Sequence, residues 1–482
     1  CSYEFNSIKR LIHKGYSPIQ PKPNPNSTPN QLQSTLFNTK ETPMKKFTHL
    51  ALAAALTAAG AGVATSASAQ ASEQFFPQLT YRTGAYAAYG IPWSNGKVDY
   101  IKLINARDGG INGVKLTYEE CETAYATDRG VECYERLKNR PGVAVVDPLA
   151  TGITFALTEK TAVDKIPLMT QGYGLSISQD GNAFQWNFPF LGSYWTAADI
   201  LIQHLGKQAG GLDKLKGKKI AYVYHDSPYG KDAIPLLEKR AQMHGFTLQM
   251  MPVTAPGVEQ KSTWLQVRQN RPDYVLLWGW GVMNSTALKE AQATGFPREK
   301  IYSIWWGGTE PAVRDVGDSA KGFNALSLYA HGTQSKVMQD ILKLVHDPKQ
   351  GTGPRDEVGN VLYVHGVITQ MLAIEAVRVA QEKFGKGKVM TGEQVRWGME
   401  NLKLDAKRLK ELGFDGVMQP LATNCANHMG SSSARVYAWD GKDWKYTSDW
   451  YQADKTVLDP LIKEHGDKYL ADKKIARRAD CK

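Results

Sequence analysis

The chain has 482 residues, 42% of them hydrophobic, and its 58 Lys and Arg exceed its 47 Asp and Glu to give a formal charge of +11. That is apolar material for two or three globular domains. No Lys/Arg block is interleaved with aromatics, which excludes a nucleic-acid-binding reading.

Residues 1–43 carry Pro18, Pro21, Pro23, Pro25 and Pro29 among Asn and Ser, with little periodicity. That composition predicts disorder. Residues 44–69 have the three parts of a secretory signal peptide. Lys45 and Lys46 form the basic start, Phe47 to Val63 an Ala-rich apolar stretch, and Ala67-Ser68-Ala69 a small-x-small cleavage site before Gln70. The stretch is too short for a spanning helix, which needs about 20 strongly apolar residues. A signal peptide must lie near an N-terminus to be read. Met44 is therefore expected to be the true start, with residues 1–43 an upstream segment not native to the working protein. The working protein is then expected outside the cytoplasm. The first 69 residues hold seven Lys or Arg and two Asp or Glu, so the remaining 413 carry +6, ordinary for a soluble protein.

From residue 78 onward strand-like and helix-like runs alternate. Leu79 to Thr83 reads as a strand ending at Gly84. Residues 96–107 follow with helical spacing, and Asp108-Gly109-Gly110 stops them as C-cap glycines do. Val114 to Glu119 is the next strand, and Arg129 to Lys138 a helix ended by Asn139-Arg140-Pro141-Gly142. Val143 to Val146 is a short, wholly apolar strand of the buried parallel kind, and Ile166 to Met169 is another. The aromatic run Phe184 to Phe190 and the segment Gly192 to Tyr194 look like a crossing. The rhythm then restarts: strands at 219–224, 246–252, 274–277 and 301–304, with helices at 232–244, around 264–268, and at 285–293. Gly359 to Phe384 is a long amphipathic helix. Two such runs separated by a crossing predict two doubly wound α/β lobes.

Cys1 lies in the upstream segment. Cys121, Cys133, Cys425 and Cys481 make an even set in an exported chain, where disulfides persist. The expected pairs are Cys121–Cys133 and Cys425–Cys481, with free buried thiols as the alternative. No Cys-x-x-Cys or paired His accompanies them, so no metal is expected.

No phosphate-binding loop, nucleophile elbow or zinc-protease motif is present. His225-Asp226 reads as a polar turn at a strand end, and Gly172-Tyr173-Gly174 lacks the third glycine of a dinucleotide loop. A binding protein without a cofactor is expected rather than an enzyme. Trp278, Trp280, Trp305 and Trp306 stand immediately after predicted strands, and Tyr89, Tyr173 and Tyr229 are expected in loops. Ligands of open α/β sheets bind beyond the carboxyl ends of the strands, where such rings would make a mostly apolar pocket.

Five pieces in order carry a resemblance: Thr83 to Gly90, Ile104 to Gly113, Asp147 to Gly152, Tyr224 to Gly230, and Leu288 to Phe296. Over roughly residues 78–440 the chain resembles the periplasmic solute-binding proteins of branched-chain amino acid-type ABC transporters. The resemblance implies two lobes joined by a multi-strand hinge, the type I periplasmic binding protein fold. Its expected layout is 78–192 with 328–420 as lobe 1, 193–327 with 421–460 as lobe 2, and 461–482 as a C-terminal tail. It implies a periplasmic monomer that delivers a small ligand to the permease and ATPase of an inner-membrane importer. The same fold also serves sensory proteins that report to a membrane kinase or chemoreceptor.

The resemblance also implies site residues. Tyr89 matches a ligand-packing aromatic. Thr151, with the backbone of Leu149 and Ala150 at a helix start, matches a carboxylate-holding hydroxyl. Gly172, Tyr173 and Gly174 fall on the polar clamp, and Tyr229 and Trp280 match aromatics of the second lobe. The chain departs from the pattern twice: Gly174 has no hydroxyl, and Trp306 stands about where amino-acid-binding members carry an acid. Glu310 would take that role if its loop folds back. Both a branched-chain or other apolar amino acid and an aromatic or apolar carboxylate stay open as ligands.

Overall fold

A computed structural model of the chain describes residues 72–481. The expectations for the upstream segment and the signal peptide lie outside these residues. The first stretch contains β1 (Glu73–Thr80), α1 (Ala87–Asp108), β2 (Lys115–Glu122), α2 (Thr127–Leu137), α3 (Thr151–Asp164), β3 (Leu168–Gln171) and β4 (Asn187–Phe190). β1 pairs in parallel with β2, and β3 with β4. Single parallel bridges Phe75–Val143, Gln78–Asp147 and Val146–Leu168 carry the ladder from β1 through residues 143–147 to β3. The apolar run Val143–Val146 thus lies in the sheet, but as bridges rather than as a continuous strand.

The chain then crosses into α4 (Tyr194–Ala209), β5 (Lys219–His225), α5 (Pro228–Lys231), α6 (Ile234–His244), β6 (Thr247–Val253), α7 (Lys261–Asn270), β7 (Tyr274–Trp278), α8 (Val282–Ala293), β8 (Ile301–Ser303), α9 (Glu310–Val313) and β9 (Asn324–Ser327). Strands β5 to β9 are mutually parallel. Ile220, Ala221, Tyr222 and Val223 of β5 are wholly buried, as expected for a strand covered on both faces. The remainder comprises α10 (Lys336–Ile341), α11 (Val361–Phe384), α12 (Gly392–Glu400), β10 (Lys403–Leu404), α13 (Ala406–Leu412), β11 (Leu421–Ala422), β12 (Ser433–Trp439), β13 (Trp444–Tyr446), β14 (Tyr451–Gln452) and α14 (Lys455–Lys473). β12 returns to the second sheet and pairs antiparallel with β9, with β13 at its edge. The α/β alternation in two sheets agrees with the sequence reading.

α11 packs on α1 through two glycines. A Cβ on Gly96 would strike the Tyr363 carbonyl, and one on Gly366 would strike the Trp93 carbonyl. Only glycine permits this backbone approach. Among the described residues α11 is the one helix long and apolar enough to cross a membrane, yet 94% of its apolar window is buried inside the fold. It is a core helix. The crossing explains one departure from expectation. The helix predicted at 96–107 starts at Ala87 and runs through Pro92, so Tyr89 lies in α1, not in a loop. Tyr229, also expected in a loop, sits in the single turn α5.

Both expected disulfides are present, Cys121–Cys133 with Cα atoms 5.6 Å apart and Cys425–Cys481 with 5.5 Å. The first joins the end of β2 to α2 across a separation of 12 residues. Replacing Cys121 and Cys133 together with Ser is expected to lower the free energy of unfolding by about 3 kcal/mol, read by urea denaturation. A loss below about 1 kcal/mol would show that packing alone holds this loop.

Candidate functional site

The site is built outward from the turn between residues 147 and 151. Leu149 has φ 53°, a left-handed conformation uncommon for a branched residue. Its N–H donates to the Tyr173 hydroxyl at 2.8 Å, and Tyr173 donates in turn to the Asp147 carboxylate. Asp147 is paired with Lys97 of α1 at 2.6 Å, both side chains almost fully buried. Burial, and then the Asp147 charge, push the Tyr173 phenol well above its ordinary pKa, so it stays a donor. Gly172 (φ 71°) and Gly174 (φ 97°) flank Tyr173 in left-handed conformations. They turn the chain after β3 so that this ring faces the turn.

α3 starts directly after this turn. Its N-cap, Ala150, is extended and supplies no side-chain cap. The N–H groups of Thr151, Gly152 and Ile153 have no acceptor among the described residues. An uncapped helix start with the macrodipole behind it is a site for an anion. The Thr151 hydroxyl lies 2.8 Å from that of Tyr194, which the Gly174 backbone also hydrogen-bonds.

Aromatic rings form the walls. Trp93 of α1 stacks on Trp306 with centroids 5.2 Å apart and planes 25° apart. Trp280 meets Trp306 edge-on at 5.3 Å, and Tyr125 stacks on Trp280 at 6.1 Å. Tyr229 is fixed by its hydroxyl donating to the Gly279 carbonyl at 3.0 Å. Gly281 (φ 60°) lets α8 start immediately after Trp280. The small cavity between them is lined by Trp93, Tyr125, Leu149, Ala150, Thr151, Tyr173, Tyr194, Tyr229, Trp280 and Trp306. Seven of these are aromatic and none is charged. The space open to a water-sized sphere is about 10 Å³, room for one water, so a solute enters only when the walls part. A larger cleft of about 800 Å³ lies between α14 and residues 424–433. It opens to solvent, and none of the residues of the sequence-based site lines it.

Of the residues expected from sequence, Leu149, Ala150, Thr151, Tyr173, Tyr229, Trp280 and Trp306 line the cavity. Tyr89 stands behind Trp280, 4.6 Å from its ring. Gly172 accepts the Trp305 indole N–H at 2.9 Å. Glu310 opens α9 and turns away: its carboxylate accepts the Val361 N–H of α11 at 3.0 and 3.2 Å. Burial pushes its carboxyl above the usual range. Trp93, Tyr125 and Tyr194 were not expected. The sequence singles out rings at strand ends of the second half, whereas these three lie in α1, in the turn at residue 125 and at the start of α4.

Several polar contacts bridge elements of the two sheets near the cavity, among them Tyr86 with His225 at 2.8 Å and a contact that buries a carboxylate. Ser176, after β3, donates its hydroxyl and its N–H (3.3 Å) to the carboxylate of Asp232, after β5. Desolvation raises this partly buried carboxyl to about 7. In a form where the halves part and water reaches it, burial no longer holds the carboxyl up and it returns toward the ordinary carboxylate range. The closed form therefore takes up a proton, and its advantage is full below about pH 4 and lost as pH rises through about 7. Asp232 by itself makes solute affinity fall as pH rises from 5 to 8. His225, held against the Tyr86 hydroxyl at 2.8 Å and lowered by burial to about 4, acts in the opposite sense at the acid end. The expected signature is therefore a difference between the wild-type and Asp232→Asn profiles in isothermal titration. Asp232→Asn should remove the fall that Asp232 adds. Superimposable wild-type and Asp232→Asn profiles would remove Asp232 from closure.

Comparison with known proteins places this geometry. The family model for periplasmic binding proteins matches residues 73–443. This chain belongs to the periplasmic binding protein family. A structure named an ABC transporter permease from the Pseudomonas fluorescens group is 40% identical, with a TM-score of 0.79 over 85% of this chain and 99% of that one. A branched-chain amino acid ABC transporter protein from Thermus thermophilus with bound valine is 20% identical, with a TM-score of 0.67 over 81% and 100%. A solute-binding protein from R. palustris in complex with benzoate is 16% identical, with a TM-score of 0.61 over 78% and 96%. No curated protein matches the chain. As a periplasmic binding protein it has the type I fold, two α/β lobes with a hinge.

Proposed function

We propose that this periplasmic binding protein is an extracytoplasmic receptor that captures a small aromatic or other apolar carboxylate and passes it to the permease and ATPase of an importer. One observation carries the reading. The cavity joins an uncapped helix start, fit for a carboxylate, to walls that hold no acid. An α-amino acid would bring an ammonium, and a buried unpaired charge is costly. Glu310 cannot answer it while committed to the start of α11. Apolar bodies are served by stacking on Trp280 and Trp306.

Lobe 1 is assigned to 78–192 with 328–420, and lobe 2 to 193–327 with 421–460, acting as a monomer. The packing of α11 on α1 and the return of β12 to the second sheet support this layout. Closure shifts the population toward the form in which both walls touch the solute. The test is thermal melting with benzoate, phenylacetate, leucine and phenylalanine. At about a hundred times its Kd a true ligand stabilises by about 2.7 kcal/mol. A rise in Tm with the carboxylates supports the reading, and a rise with the amino acids alone overturns it.

A further inference from the structure

The walls of the cavity also bear on what else the solute carries. Trp93 and Trp280 both line it, are 1% and 3% exposed, and leave their indole N–H groups without an acceptor. Elsewhere the fold pairs buried indoles. Trp305 donates to the Gly172 carbonyl at 2.9 Å, Trp195 to the Asp232 carbonyl at 2.7 Å, and Trp264 to Gln260 at 3.2 Å. Trp278 and Trp444 are unpaired too, but neither faces the cavity. Trp306 touches both Trp93 and Trp280, at 5.2 and 5.3 Å between ring centroids, so the two donors share one wall. Behind them the Tyr81 hydroxyl is buried and unpartnered as well, its ring 6.4 Å from Trp280.

An indole N–H donates and cannot accept. Two such groups reject an ammonium and leave a hydrocarbon with an unmet polar requirement, since a buried donor without a partner is unfavourable. They also stand among uncharged neighbours, where a second carboxylate would be an uncompensated buried charge. A neutral acceptor oxygen meets every condition. Resting on the carboxylate reading above, we infer that the solute is an oxo acid: a carboxylate whose apolar body bears a carbonyl oxygen that accepts from Trp93 or Trp280.

The experiment is isothermal titration of the purified protein with two matched pairs, phenylpyruvate against 3-phenylpropanoate and 4-acetylbenzoate against 4-ethylbenzoate. In each pair the carbonyl is the polar difference, one near the carboxylate and one remote from it. At least one oxo acid is expected to bind tenfold or more tighter than its partner. A site built around a hydrogen bond discriminates strongly against the analogue that lacks it. Trp93→Phe or Trp280→Phe, which keep an aromatic ring but delete the indole N–H, should collapse that preference, read as the ratio of the two affinities within each pair so that any loss of stacking common to both members cancels. Equal affinities within both pairs for the wild-type protein would overturn the oxo-acid inference and leave the carboxylate reading standing. Binding of phenylalanine with none of the four acids would overturn both.

Discussion

Lys97→Ala is expected to lower the free energy of unfolding by about 3–5 kcal/mol, the range for removing one partner of a buried ion pair. Lys97 and Asp147 meet at 2.6 Å with side chains 2% and 4% exposed. The surroundings offer no replacement cation: the space around the pair is lined by Phe76, Pro77, Gln78, Val145, Met169, Gln370 and Ala373. The orphaned carboxylate would be left with the Tyr173 hydroxyl and the Leu149 N–H. Lys97→Met with Asp147→Leu should recover much of the stability, because an ion pair replaced whole by apolar groups is often neutral. It should not recover solute binding, because Asp147 orders the Tyr173–Leu149 arrangement on which the start of α3 rests. Urea denaturation and titration of the single and double variants separate the two effects. A loss below about 1 kcal/mol for Lys97→Ala would show that the pair contributes little.

Trp306→Ala is expected to weaken solute binding by about thirtyfold or more, corresponding to the roughly 2 kcal/mol of a buried aromatic anchor. Trp306 is the ring that Trp93, Tyr173 and Trp280 all contact. Its removal opens one wall and frees Trp93 from its stack. The same change costs stability, on the order of 3–5 kcal/mol for a buried Trp. Titrations should therefore be made well below the melting temperature of the variant. Trp306→Phe should restore most of the fold and part of the affinity. Unchanged affinity in the alanine variant would move the solute away from this wall.

The alternation of strands and helices was legible because buried parallel strands are short apolar runs and glycines punctuate them. β5 and β7 start and end within about a residue of the expected positions. The cavity was legible where rings follow strands, as with Trp280 and Trp306. It was obscured around α1. Gly90 and Pro92 look like loop residues, yet the helix runs through them. Gly90 clears the Tyr81 ring and Gly96 clears the Tyr363 carbonyl, so long-range packing overrides local propensity. That hid Trp93 and misplaced Tyr89. Likewise nothing local ties Lys97 to Asp147, fifty positions away, or sends Glu310 to the start of α11. Those partnerships exist only once both sheets are assembled.

The stack of Trp93 on Trp306 joins a helix of the first stretch to a loop of the second, across the space a solute must enter. Two indoles held nearly parallel at that separation couple their ultraviolet transitions, and the coupling depends steeply on their spacing and angle. The molecule therefore contains its own optical gauge. A solute that enters between these walls is expected to change the near-ultraviolet circular dichroism of this pair, with no dye or label attached.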